Sequence, residues 1–423
     1  MDLNVQKTDE IYGVVNAPPS KSYTHRAVII AFLAEGKSIL RDPLYSEDTN
    51  ASIDACRSFG ATIETFSKYC KVDGTSGELE TPEDVINVKN SGTTLRIMTS
   101  VSALSPGTTV ITGDDSLRKR PMQDILDALK KLGVEAYSTR NNGMPPIVIK
   151  SGFKGGKTSI KGDVSSQFIS SLLISSTYAK EPVYIKVKGD FISKPYVDMT
   201  IDVMEKFGVE VEFEWEKNTF HVHPSIYKSI DYTIEGDYSS ASYIVAAAAA
   251  LKSEVTIKNL FKKSKQGDKI ILDIIQEMGA QVKVKENEIN ITSDGELSGI
   301  DVDLSNAPDL LPTVAALGAV AQGETRIFGA EHARYKETDR IHTSAVELSK
   351  LGVLISEKDD GLIIKGGAKG GIVNSHMDHR LVMALSIVGL KVGNLKIEDA
   401  SCYEISFPNF PQVMNKLGCR LLI

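Results

Sequence analysis

A segment near the start of the chain carries the side chains needed to bind an anion. Ser20, Lys21, Ser22 and Arg26 follow two consecutive prolines and lead into an apolar run. Because the prolines cannot extend a helix backwards, they predict a helix that begins here with Ser20 or Ser22 as its N-cap. The N–H groups and dipole of a helix N-terminus favour an anion, and lysine and arginine add charges suited to carboxylate or phosphate. The segment therefore indicates an anion site, although a capped surface helix with two solvated basic residues has the same pattern.

Five more segments place polar or basic side chains at predicted helix starts. They are NSGTTLR at 90–96, SSQ at 165–167, SS at 239–240, KETDR at 336–340 and DHR at 378–380. Five of the twelve arginines lie in or beside the six segments: Arg26, Arg96, Arg120, Arg340 and Arg380. Arginine is the better bidentate partner for carboxylate and phosphate. If the six helix starts face the same way, they predict one electropositive cleft.

Three titratable side chains at predicted helix starts could move protons. Asp309 follows a proline, Glu337 stands next to Lys336, and His379 lies in the last segment. A carboxylate beside a lysine stays ionised and can accept a proton, and a histidine can donate one. Asp309 and His379 could equally cap their helices, so both interpretations stay open at this point.

The familiar cofactor and metal motifs are missing from the sequence. No predicted strand is followed by Gly-x-Gly-x-x-Gly, and no Gly-x-x-x-x-Gly-Lys-Ser/Thr loop occurs. The usual dinucleotide and nucleoside-triphosphate sites therefore lack their glycine-rich loops. No carboxylate cluster that would need Mg²⁺ and no Ser/His/Asp arrangement can be identified. We therefore expect a site without cofactor or metal that binds two anionic small molecules.

The composition is that of an ordinary globular protein with more than one domain. The 423 residues are 42% hydrophobic and 24% charged, and the formal net charge is −7. This length exceeds one compact core, and the negative charge argues against binding to nucleic acid or to a membrane surface. A polar, acidic start, apolar runs too short to span a bilayer and four cysteines without CxxC spacing predict a cytoplasmic protein with reduced thiols.

One pattern recurs six times: an amphipathic helix, a glycine, then alternating apolar residues. The glycines are 73, 75, 71, 73 and 66 residues apart and stand at positions 60, 133, 208, 279, 352 and 418. Glycine readily adopts the left-handed conformation that ends a helix, and the period-two pattern predicts a half-buried strand. Three copies continue into a second strand, which predicts hairpins of 209–214 with 219–223, 281–285 with 288–292, and 353–357 with 361–364.

Six such units group most simply as two similar α/β domains of three units each. The seam is expected near 230–236, where a strand-like stretch gives way to an alanine-rich helix, and the strand at 10–16 is expected to belong with the C-terminal half. The predicted domains are therefore 1–16 with 233–423, and 17–232. A chain that crosses twice between domains forms a hinge, so the site is expected in the cleft between them. A rigid two-lobed body is the alternative.

At these segments the chain resembles the 5-enolpyruvylshikimate-3-phosphate (EPSP) synthase family, the 3-phosphoshikimate 1-carboxyvinyltransferases. Nine motifs occur in the family's order along the whole length: PPSKSYTHRA, NSGTTLR, RKRPMQDILDAL, DVSSQFISSLL, ISKPYVDMT, EGDYSSASY, APD, KETDRI and DHRLVMA. The resemblance implies two domains, each an inside-out α/β barrel of three βαβαββ units. It also implies transfer of the enolpyruvyl group of phosphoenolpyruvate to the 5-hydroxyl of shikimate 3-phosphate, with release of phosphate, through a tetrahedral intermediate on the route to chorismate.

The resemblance assigns roles to the positions that match the family's motifs. Catalytic roles fall to Asp309, Glu337, Lys21, Lys336 and His379. Shikimate 3-phosphate would contact Lys21, Ser22, Arg26, Ser165, Ser166, Gln167, Ser193, Tyr196, Asp309 and Lys336. Phosphoenolpyruvate would contact Lys21, Gly92, Arg120, Gln167, Arg340 and Arg380. No cofactor, metal, nucleic acid or membrane is implied, a cytoplasmic monomer is expected, and glyphosate is expected to compete with phosphoenolpyruvate because Gly92 is present.

Three positions depart from the family's pattern. His332 stands where many members have asparagine, Ile97 where a proline is common, and Ile405 where a lysine often helps to bind phosphoenolpyruvate. The charge of that lysine is either absent here or supplied by another residue. Two other functions fit the same fold: a UDP-N-acetylglucosamine enolpyruvyl transferase, and a non-catalytic protein that binds phosphorylated metabolites. The first commonly uses a cysteine in the loop that corresponds to 114–120, and this loop has none.

Overall fold

The computed structural model, which describes residues 1–191 and 193–423, divides the chain into two compact units. The discontinuous unit comprises Met1–Pro18 and Glu235–Ile423, and the inserted unit comprises Pro19–Ile234. Each unit encloses a hydrophobic core of its own. The chain therefore leaves the discontinuous unit once, folds the whole inserted unit, and returns.

Strands and helices alternate along the described residues. The strands are β1 Leu3–Gln6, β2 Glu10–Asn16, β3 Lys37–Arg41, β4 Thr62–Phe66, β5 Tyr69–Asp73, β6 Ile86–Asn87, β7 Thr108–Thr112, β8 Ala136–Ser138, β9 Ile147–Lys150, β10 Gly156–Lys161, β11 Val183–Lys188, β12 Glu212–Glu214, β13 Thr219–Val222, β14 Asp231–Thr233, β15 Lys252–Lys258, β16 Gln281–Val284, β17 Glu288–Asp294, β18 Asp301–Asp303, β19 Glu324–Phe328, β20 Leu354–Lys358, β21 Gly361–Lys365, β22 Gly371–Asn374, β23 Leu395–Glu398 and β24 Arg420–Leu422. The α-helices are α1 Lys21–Leu33, α2 Glu47–Ser58, α3 Gly92–Val101, α4 Gln123–Lys131, α5 Ser166–Ser176, α6 Lys194–Lys206, α7 Tyr238–Ala250, α8 Ile271–Glu277, α9 Leu311–Val320, α10 Arg340–Lys350, α11 His379–Val392 and α12 Phe410–Lys416.

The strands form four-stranded sheets with one shared pattern, a parallel pair followed by two antiparallel pairs. The inserted unit contains β14-β3-β5-β4, β6-β7-β9-β8 and β10-β11-β13-β12, and the discontinuous unit contains β2-β15-β17-β16, β18-β19-β21-β20 and β22-β23-β1-β24. Within an uninterrupted repeat, one helix joins the parallel strands and a second helix leads into the hairpin, as in β6-α3-β7-α4-β8-β9, whereas β14, β2 and β1 complete their sheets from a distant part of the chain. The structure thus confirms the predicted βαβαββ repeat, three times in each unit.

The second helix of each repeat is followed by a glycine with a left-handed backbone. Gly60, Gly133, Gly208, Gly279, Gly352 and Gly418 have φ between +81° and +124°. A Cβ is disfavoured in this region of φ, so glycine ends the helix without steric strain. The three predicted hairpins form as antiparallel pairs of β12 with β13, β16 with β17 and β20 with β21.

Two sheets of the discontinuous unit are completed by the N-terminal strands. Strand β2 pairs in parallel with β15, and β1 lies between β23 and β24. In the inserted unit, β14 pairs in parallel with β3 just before the chain returns. Pairings between strands so far apart in the chain fix where each unit begins and ends.

The first helix of each repeat is more deeply buried than the second. Every residue of α7 is buried, whereas α4 buries one face only. A helix that is apolar all round must be covered by other elements. In the discontinuous unit, α7, α9 and α11 pack against one another. Their packing brings the starts of these three helices close together, where polar residues of the predicted site lie.

One of the six polar segments lies on a different kind of helix from the one predicted. Five segments open the first helix of a repeat, namely α1, α3, α5, α7 and α11. The segment at 336–340 instead opens α10, a second helix, while the first helix of that repeat, α9, follows Asp309. The prediction of six equivalent helix starts is therefore wrong for this segment. Both helices carry start signals in the sequence, and only the strand order distinguishes them.

Candidate active site

Asp309 is surrounded by cations in the discontinuous unit. Its Oδ1 accepts a hydrogen bond from Arg340 Nη1 at 2.8 Å and lies 3.3 Å from Lys336 Nζ. Its Oδ2 accepts from Arg380 Nη2 at 3.2 Å. Asp309 lies within a short 3₁₀ turn that precedes α9, and no side chain caps either element, so its alternative role as an N-cap is wrong. The carboxylate instead contacts two arginines and a lysine.

Arg340 joins Asp309 to two further carboxylates. Its side chain is 1% exposed, its Nε donates to Asp378 Oδ2 at 2.8 Å, and its Nη2 donates to Glu337 Oε2 at 2.5 Å. Burial by itself would lower the pKa of the guanidinium, but Asp378 and Glu337 raise the pKa of Arg340 above its usual value. Burial and the charge of Glu337 would raise the pKa of Asp378, but Arg340, followed by His379, keeps it lowered. The fork of one arginine therefore fixes three carboxylates in place.

Arg380 links Asp309 to the start of α7. The guanidinium donates to Ser239 Oγ and lies 3.5 Å from the hydroxyl of Tyr243. The backbone N–H of Arg380 donates to Asp378 Oδ1 at 2.9 Å, which makes Asp378 the N-cap of α11. His379 is therefore not the cap of its helix, and its buried ring lies 3.9 Å from Asp378.

Asp268 is a buried carboxyl beside this group that the sequence did not indicate. Burial, followed by the charge of Asp309, raises the pKa of Asp268 to about 7, while Arg380 and a hydrogen bond from Ser239 oppose the rise. It stands in the 3₁₀ turn before α8.

We call Asp309, Lys336, Glu337, Arg340, Asp378 and Arg380 the carboxylate cluster, in which three cations balance three carboxylates.

In the inserted unit, Arg26 is held by the backbone and by a threonine. Its Nε donates to Thr200 Oγ1 at 2.7 Å, and its two Nη atoms donate to the carbonyls of Ser22 and Tyr196 at 2.9 Å each. Burial lowers the pKa of Arg26 to about 10. Ser20 is the N-cap of α1, which agrees with the prediction that either Ser20 or Ser22 caps this helix. Arg26 thereby ties the start of α1 to the start of α6.

The starts of α3 and α5 are joined by an arginine and a glutamine. Arg96 Nη1 donates to Gln167 Oε1 at 2.6 Å, and Gln167 Nε2 donates to Thr93 Oγ1 at 2.9 Å. Gly92 opens α3, and a Cβ added there would lie 2.4 Å from Arg120 Nη1. The absence of a side chain at Gly92 is therefore what lets the guanidinium of Arg120 approach the helix start.

The serines predicted to bind phosphate occupy two other helix starts. Ser165 is the N-cap of α5 and accepts from the N–H of Gln167 at 3.3 Å, and Ser166 is buried as its first residue. Ser193 precedes α6 with a left-handed φ of 53° and makes no side-chain cap. With Lys21, whose ammonium lies 2.8 Å from Asp48 Oδ2, these residues form the helix-start cluster: Lys21, Ser22, Arg26, Gly92, Arg120, Ser165, Ser166, Gln167, Ser193 and Tyr196.

Each predicted site residue thus belongs to one of two clusters, one per unit, except His379, whose ring lies beside Asp378 of the carboxylate cluster. Sequence reasoning missed Asp48, Asp268 and Asp378 as partners of the site. Asp378 had a usable signal, because an aspartate directly before a helix is a common N-cap. Asp48 and Asp268 had none, since their partners are brought to them by the fold alone.

The three departures from the family's pattern lie on ordinary elements. Ile97 is fully buried within α3, and Ile405 is partly buried against the core at the end of a 3₁₀ turn. His332 lies in the 3₁₀ turn before Lys336, with its Nε2 3.8 Å from Glu331 Oε1. At position 405, the isoleucine therefore does not supply the positive charge that a lysine there would bring.

Neither the four cysteines nor the acidic residues of the described chain form a metal site. Cys56, Cys70, Cys402 and Cys419 are buried and unpaired with one another, and burial raises the pKa of each thiol. Among residues 1–191 and 193–423, no group of three or more histidine, cysteine, aspartate or glutamate side chains is arranged to hold a metal ion. In the same residues, no helix is both long and apolar enough to cross a bilayer.

Comparison with known proteins gives one consistent answer. A family model for EPSP synthase (3-phosphoshikimate 1-carboxyvinyltransferase) matches residues 5–414. The proteins named 3-phosphoshikimate 1-carboxyvinyltransferase of Methanosphaera stadtmanae and Methanothermobacter thermautotrophicus are 57% and 59% identical to the chain. The first alignment covers 99% of this chain and 100% of the relative, and the second covers 100% and 99%.

A solved structure with a similar fold is also an EPSP synthase. An EPSP synthase from Acinetobacter baumannii superposes with a TM-score of 0.85 at 25% sequence identity, over 100% of this chain and 99% of the other. The likeness confirms the predicted α/β class, two similar domains, each an inside-out barrel of three βαβαββ units.

Proposed function

The chain belongs to the EPSP synthase family, the 3-phosphoshikimate 1-carboxyvinyltransferases, and on that premise we propose how its residues divide the reaction. The protein transfers the enolpyruvyl group of phosphoenolpyruvate to the 5-hydroxyl of shikimate 3-phosphate and releases phosphate, a step in aromatic amino-acid biosynthesis. The single observation that supports the residue roles is the contact of one carboxylate, Asp309, with Arg340, Lys336 and Arg380. We propose that both clusters act on the same pair of substrates.

Arg340 and Arg380 suit the phosphate and carboxylate of phosphoenolpyruvate. Their forks are buried and already oriented, so little side-chain freedom is lost when an anion binds. Without substrate, Asp309 accepts hydrogen bonds from both arginines. An incoming anion competes with Asp309 for these donors, and it adds negative charge beside the carboxylate. We propose that Lys21, Gly92, Arg120 and Gln167 complete this subsite.

The serine-bearing helix starts suit the 3-phosphate of shikimate 3-phosphate. Ser165 and Ser166 stand at the N-terminus of α5, where free N–H groups and the helix dipole favour a phosphate. We propose that Ser193 and Lys336 add a hydroxyl and a charge. We also propose that Ser22 and Arg26 hold the carboxylate end, with Lys21, Gln167, Tyr196 and Asp309 beside the ring and its hydroxyls.

Asp309 is the proposed base in the addition step. The oxygen of the 5-hydroxyl attacks C2 of phosphoenolpyruvate as Asp309 takes the hydroxyl proton, and the methylene carbon C3 gains a proton from Glu337 or Lys336. In the elimination step the C2–O bond to phosphate breaks, phosphate leaves with the bonding electrons, and C3 returns a proton to the same group, Glu337 or Lys336, which leaves the enolpyruvyl ether. The substrate anions compete with Asp309 for the arginines and bring negative charge close to it, which favours uptake of the hydroxyl proton by Asp309 when both substrates are bound. His379, whose ring lies 3.9 Å from Asp378, is proposed to assist proton transfer.

Holding two polyanions in contact accounts for much of the expected rate enhancement. Positioning of reactants can lower a barrier by roughly 7–11 kcal/mol. Fixed arginines add electrostatic stabilisation of the tetrahedral intermediate, because their charges and N–H donors are already oriented before the reaction. Both contributions depend on the charged side chains of the two clusters.

A two-substrate phosphate-release assay tests this function. With shikimate 3-phosphate, phosphoenolpyruvate and excess EDTA, we expect equimolar phosphate and enolpyruvyl product. The matched variant Asp309→Asn keeps the size of the side chain and should lose about 10²- to 10⁴-fold in kcat while still binding shikimate 3-phosphate. Release of phosphate with UDP-N-acetylglucosamine but not with shikimate 3-phosphate would support the sister activity, and binding without turnover would support the non-catalytic alternative.

We also propose that the protein works as a cytoplasmic monomer with small-molecule partners only. The net charge of −7 supports this, because it disfavours adhesion to nucleic acid and to anionic membranes. Light scattering coupled to gel filtration should give a mass near the chain's 46.0 kDa, and twice that mass would contradict the proposal.

A further inference from the structure

A series of buried polar side chains lies behind Lys21. The ammonium of Lys21 is 2.8 Å from Asp48 Oδ2, and His25 Nε2 faces the same oxygen at 3.7 Å. On the other side of the ring, His25 Nδ1 is 2.8 Å from Ser52 Oγ. The side chain of His25 is 0% exposed, so no solvent molecule competes for either nitrogen at the surface. Lys21 and His25 lie one helical turn apart on α1, and Asp48 and Ser52 lie one turn apart on α2.

The series continues to the start of α3. Ser52 Oγ lies 2.7 Å from Thr94 Oγ1, which in turn lies 2.6 Å from Ser91 Oγ. Ser91 is the N-cap of α3, and the next residue is Gly92. Three helix starts, those of α1, α2 and α3, are therefore connected through side chains alone. The two ends of the connection are Lys21 and the helix start at Gly92, both of which we assign to substrate.

One direction of donation runs from Ser91 through Thr94 and Ser52 to the His25 ring, whose Nε2 faces Asp48 at 3.7 Å, beyond hydrogen-bond distance. Burial lowers the pKa of His25, so the ring is neutral and has one donor and one acceptor. The negative charge of Asp48 favours the tautomer that carries its proton on Nε2, and Nδ1 then accepts from Ser52. Ser52 then accepts from Thr94, and Thr94 from Ser91. Burial alone would raise the pKa of Asp48, but Lys21 holds the pKa of this carboxyl well below its usual range.

Stability alone is a weak reason for such an arrangement. Apolar side chains of similar volume in place of a buried ion pair are often neutral or stabilising. A connected polar series, in contrast, allows one geometry, because each hydrogen bond restricts the next. A substrate-binding ammonium gains from that restriction, since misplacement of a charge by an ångström can lower a rate strongly.

We propose that His25 is a positioning residue for Lys21. It acts through Asp48 to fix the ammonium, and through Ser52 and Thr94 to set that ammonium relative to the start of α3. The proposal depends on the proposed role of Lys21 as a residue that contacts both substrates. His25 itself contacts neither substrate in this account.

A double-mutant cycle between His25 and Lys21 tests the proposal. His25→Ala should lower kcat/KM for both substrates about tenfold, and Lys21→Met should lower it further. In the Lys21→Met protein, His25→Ala should cause less than about a twofold additional loss, because the group it positions is already gone. If the two losses multiply, His25 acts on folding or packing rather than through Lys21, and the proposal is overturned.

Milder variants give the same test where His25→Ala folds poorly. Thr94→Val breaks the series and keeps the volume of the side chain, so its cycle with Lys21→Met should show the same coupling. His25→Gln restores a donor near the position of Nε2 and should recover part of the lost kcat/KM. Ser102→Ala is the matched control, since the hydroxyl of Ser102, the residue that follows α3, donates to the carbonyl of Met98 within that helix and has no contact with the series. Equal losses in Thr94→Val and Ser102→Ala would count against the proposal.

A measurement on the free protein separates this proposal from the catalytic function. Nitrogen-15 spectra of the labelled histidines, with the His25 signals assigned through His25→Gln, should show the neutral Nε2–H tautomer from about pH 6 to pH 8. An Nδ1–H tautomer, or a charged ring, would overturn the donation series described above. This result is independent of turnover, so a wild-type protein without enolpyruvyl transfer would refute the function and leave the tautomer test intact.

Discussion

The chemistry of single residues explains why arginine dominates the carboxylate cluster. Arg340 presents its fork to Asp309, Glu337 and Asp378 at once, which a lysine ammonium on a flexible stem cannot do. The guanidinium is 1% exposed, so the three contacts are made largely out of water. A buried cation of this kind can hold its geometry while Asp309 exchanges partners during the reaction.

Gly92→Ala should weaken the subsite for phosphoenolpyruvate selectively. The new Cβ would stand 2.4 Å from Arg120 Nη1, so the guanidinium must shift. The φ of Gly92 lies outside the left-handed region, so the backbone accepts alanine without strain and the effect comes from the lost space. We expect KM for phosphoenolpyruvate to rise about tenfold and KM for shikimate 3-phosphate to stay within about twofold.

Steady-state kinetics with each substrate varied in turn checks this prediction. Glyphosate, which we expect to compete with phosphoenolpyruvate, should inhibit the variant less. An equal rise in both KM values would indicate that the helix start as a whole has moved, and no change would place Arg120 away from the substrate.

At the residue scale, the sequence indicated the charged members of the site but not their partners. Lys21, Arg340 and Arg380 stand in segments whose local pattern marks a helix start. The acidic partner of Lys21 is 27 positions away on another helix, and nothing in its neighbourhood distinguishes Asp48 from a surface aspartate. Long-range ion pairs of this kind are set by how helices pack.

Among the elements, α10 and the loop before α11 are joined by a buried glutamate. The side chain of Glu347 is 0% exposed and accepts from Lys350 Nζ at 2.8 Å and from the N–H of Asn374 at 2.9 Å. Its Oε1, which also accepts from Lys350, lies 2.6 Å from His376 Nε2. His376 and Met377 both have left-handed φ values, of 50° and 58°, just before the cap of α11. Glu347 therefore holds the loop that carries Arg380 to its place.

Glu347→Gln should destabilise the protein by about 2 kcal/mol at neutral pH, since it weakens several hydrogen bonds to a buried charge. Burial by itself raises the pKa of Glu347, but Lys350, the Asn374 N–H and His376 lower it below its ordinary 4.5. A lowered pKa in the folded state contributes stability above the unfolded pKa, and that contribution is lost as the pH falls through the folded pKa. The difference between wild type and variant should therefore be largest above about pH 5 and shrink towards about pH 3.

Urea denaturation across this pH range measures the difference in free energy of unfolding. Glu35→Gln serves as the control, because Glu35 pairs with Lys228 at an exposed position, where ion pairs contribute little. A difference that is constant with pH, or as large for Glu35→Gln, would show that the charge of Glu347 is not what holds the loop.

Most of the elements followed from local sequence, and the exception is informative. The six helix–glycine–strand units were predictable because glycine, helix period and strand period all act within about a dozen residues. The segment at 336–340 was wrongly predicted to open the first helix of its repeat. The sequence pattern of a helix start is the same whether the helix joins two parallel strands or precedes a hairpin. Only the pairing of β18 with β19, which encloses α9, shows which helix is which.

At the scale of the whole molecule, the two units repeat one architecture but carry different chemistry. The inserted unit supplies serines, Lys21 and an arginine beside a glycine, and the discontinuous unit supplies all the proposed acids and bases. Neither cluster alone has the groups for both substrates and for proton transfer. The central claim of the proposed mechanism is therefore that phosphoenolpyruvate depends on one arginine from each unit.

The KM for phosphoenolpyruvate in Arg120→Lys and in Arg380→Lys tests that claim most directly. Each variant keeps the positive charge and loses the bidentate fork, so each should raise this KM at least about tenfold while the binding of shikimate 3-phosphate, followed by calorimetry, stays within about twofold. An unchanged KM for phosphoenolpyruvate in either variant would show that only one unit holds this substrate, and would contradict the account.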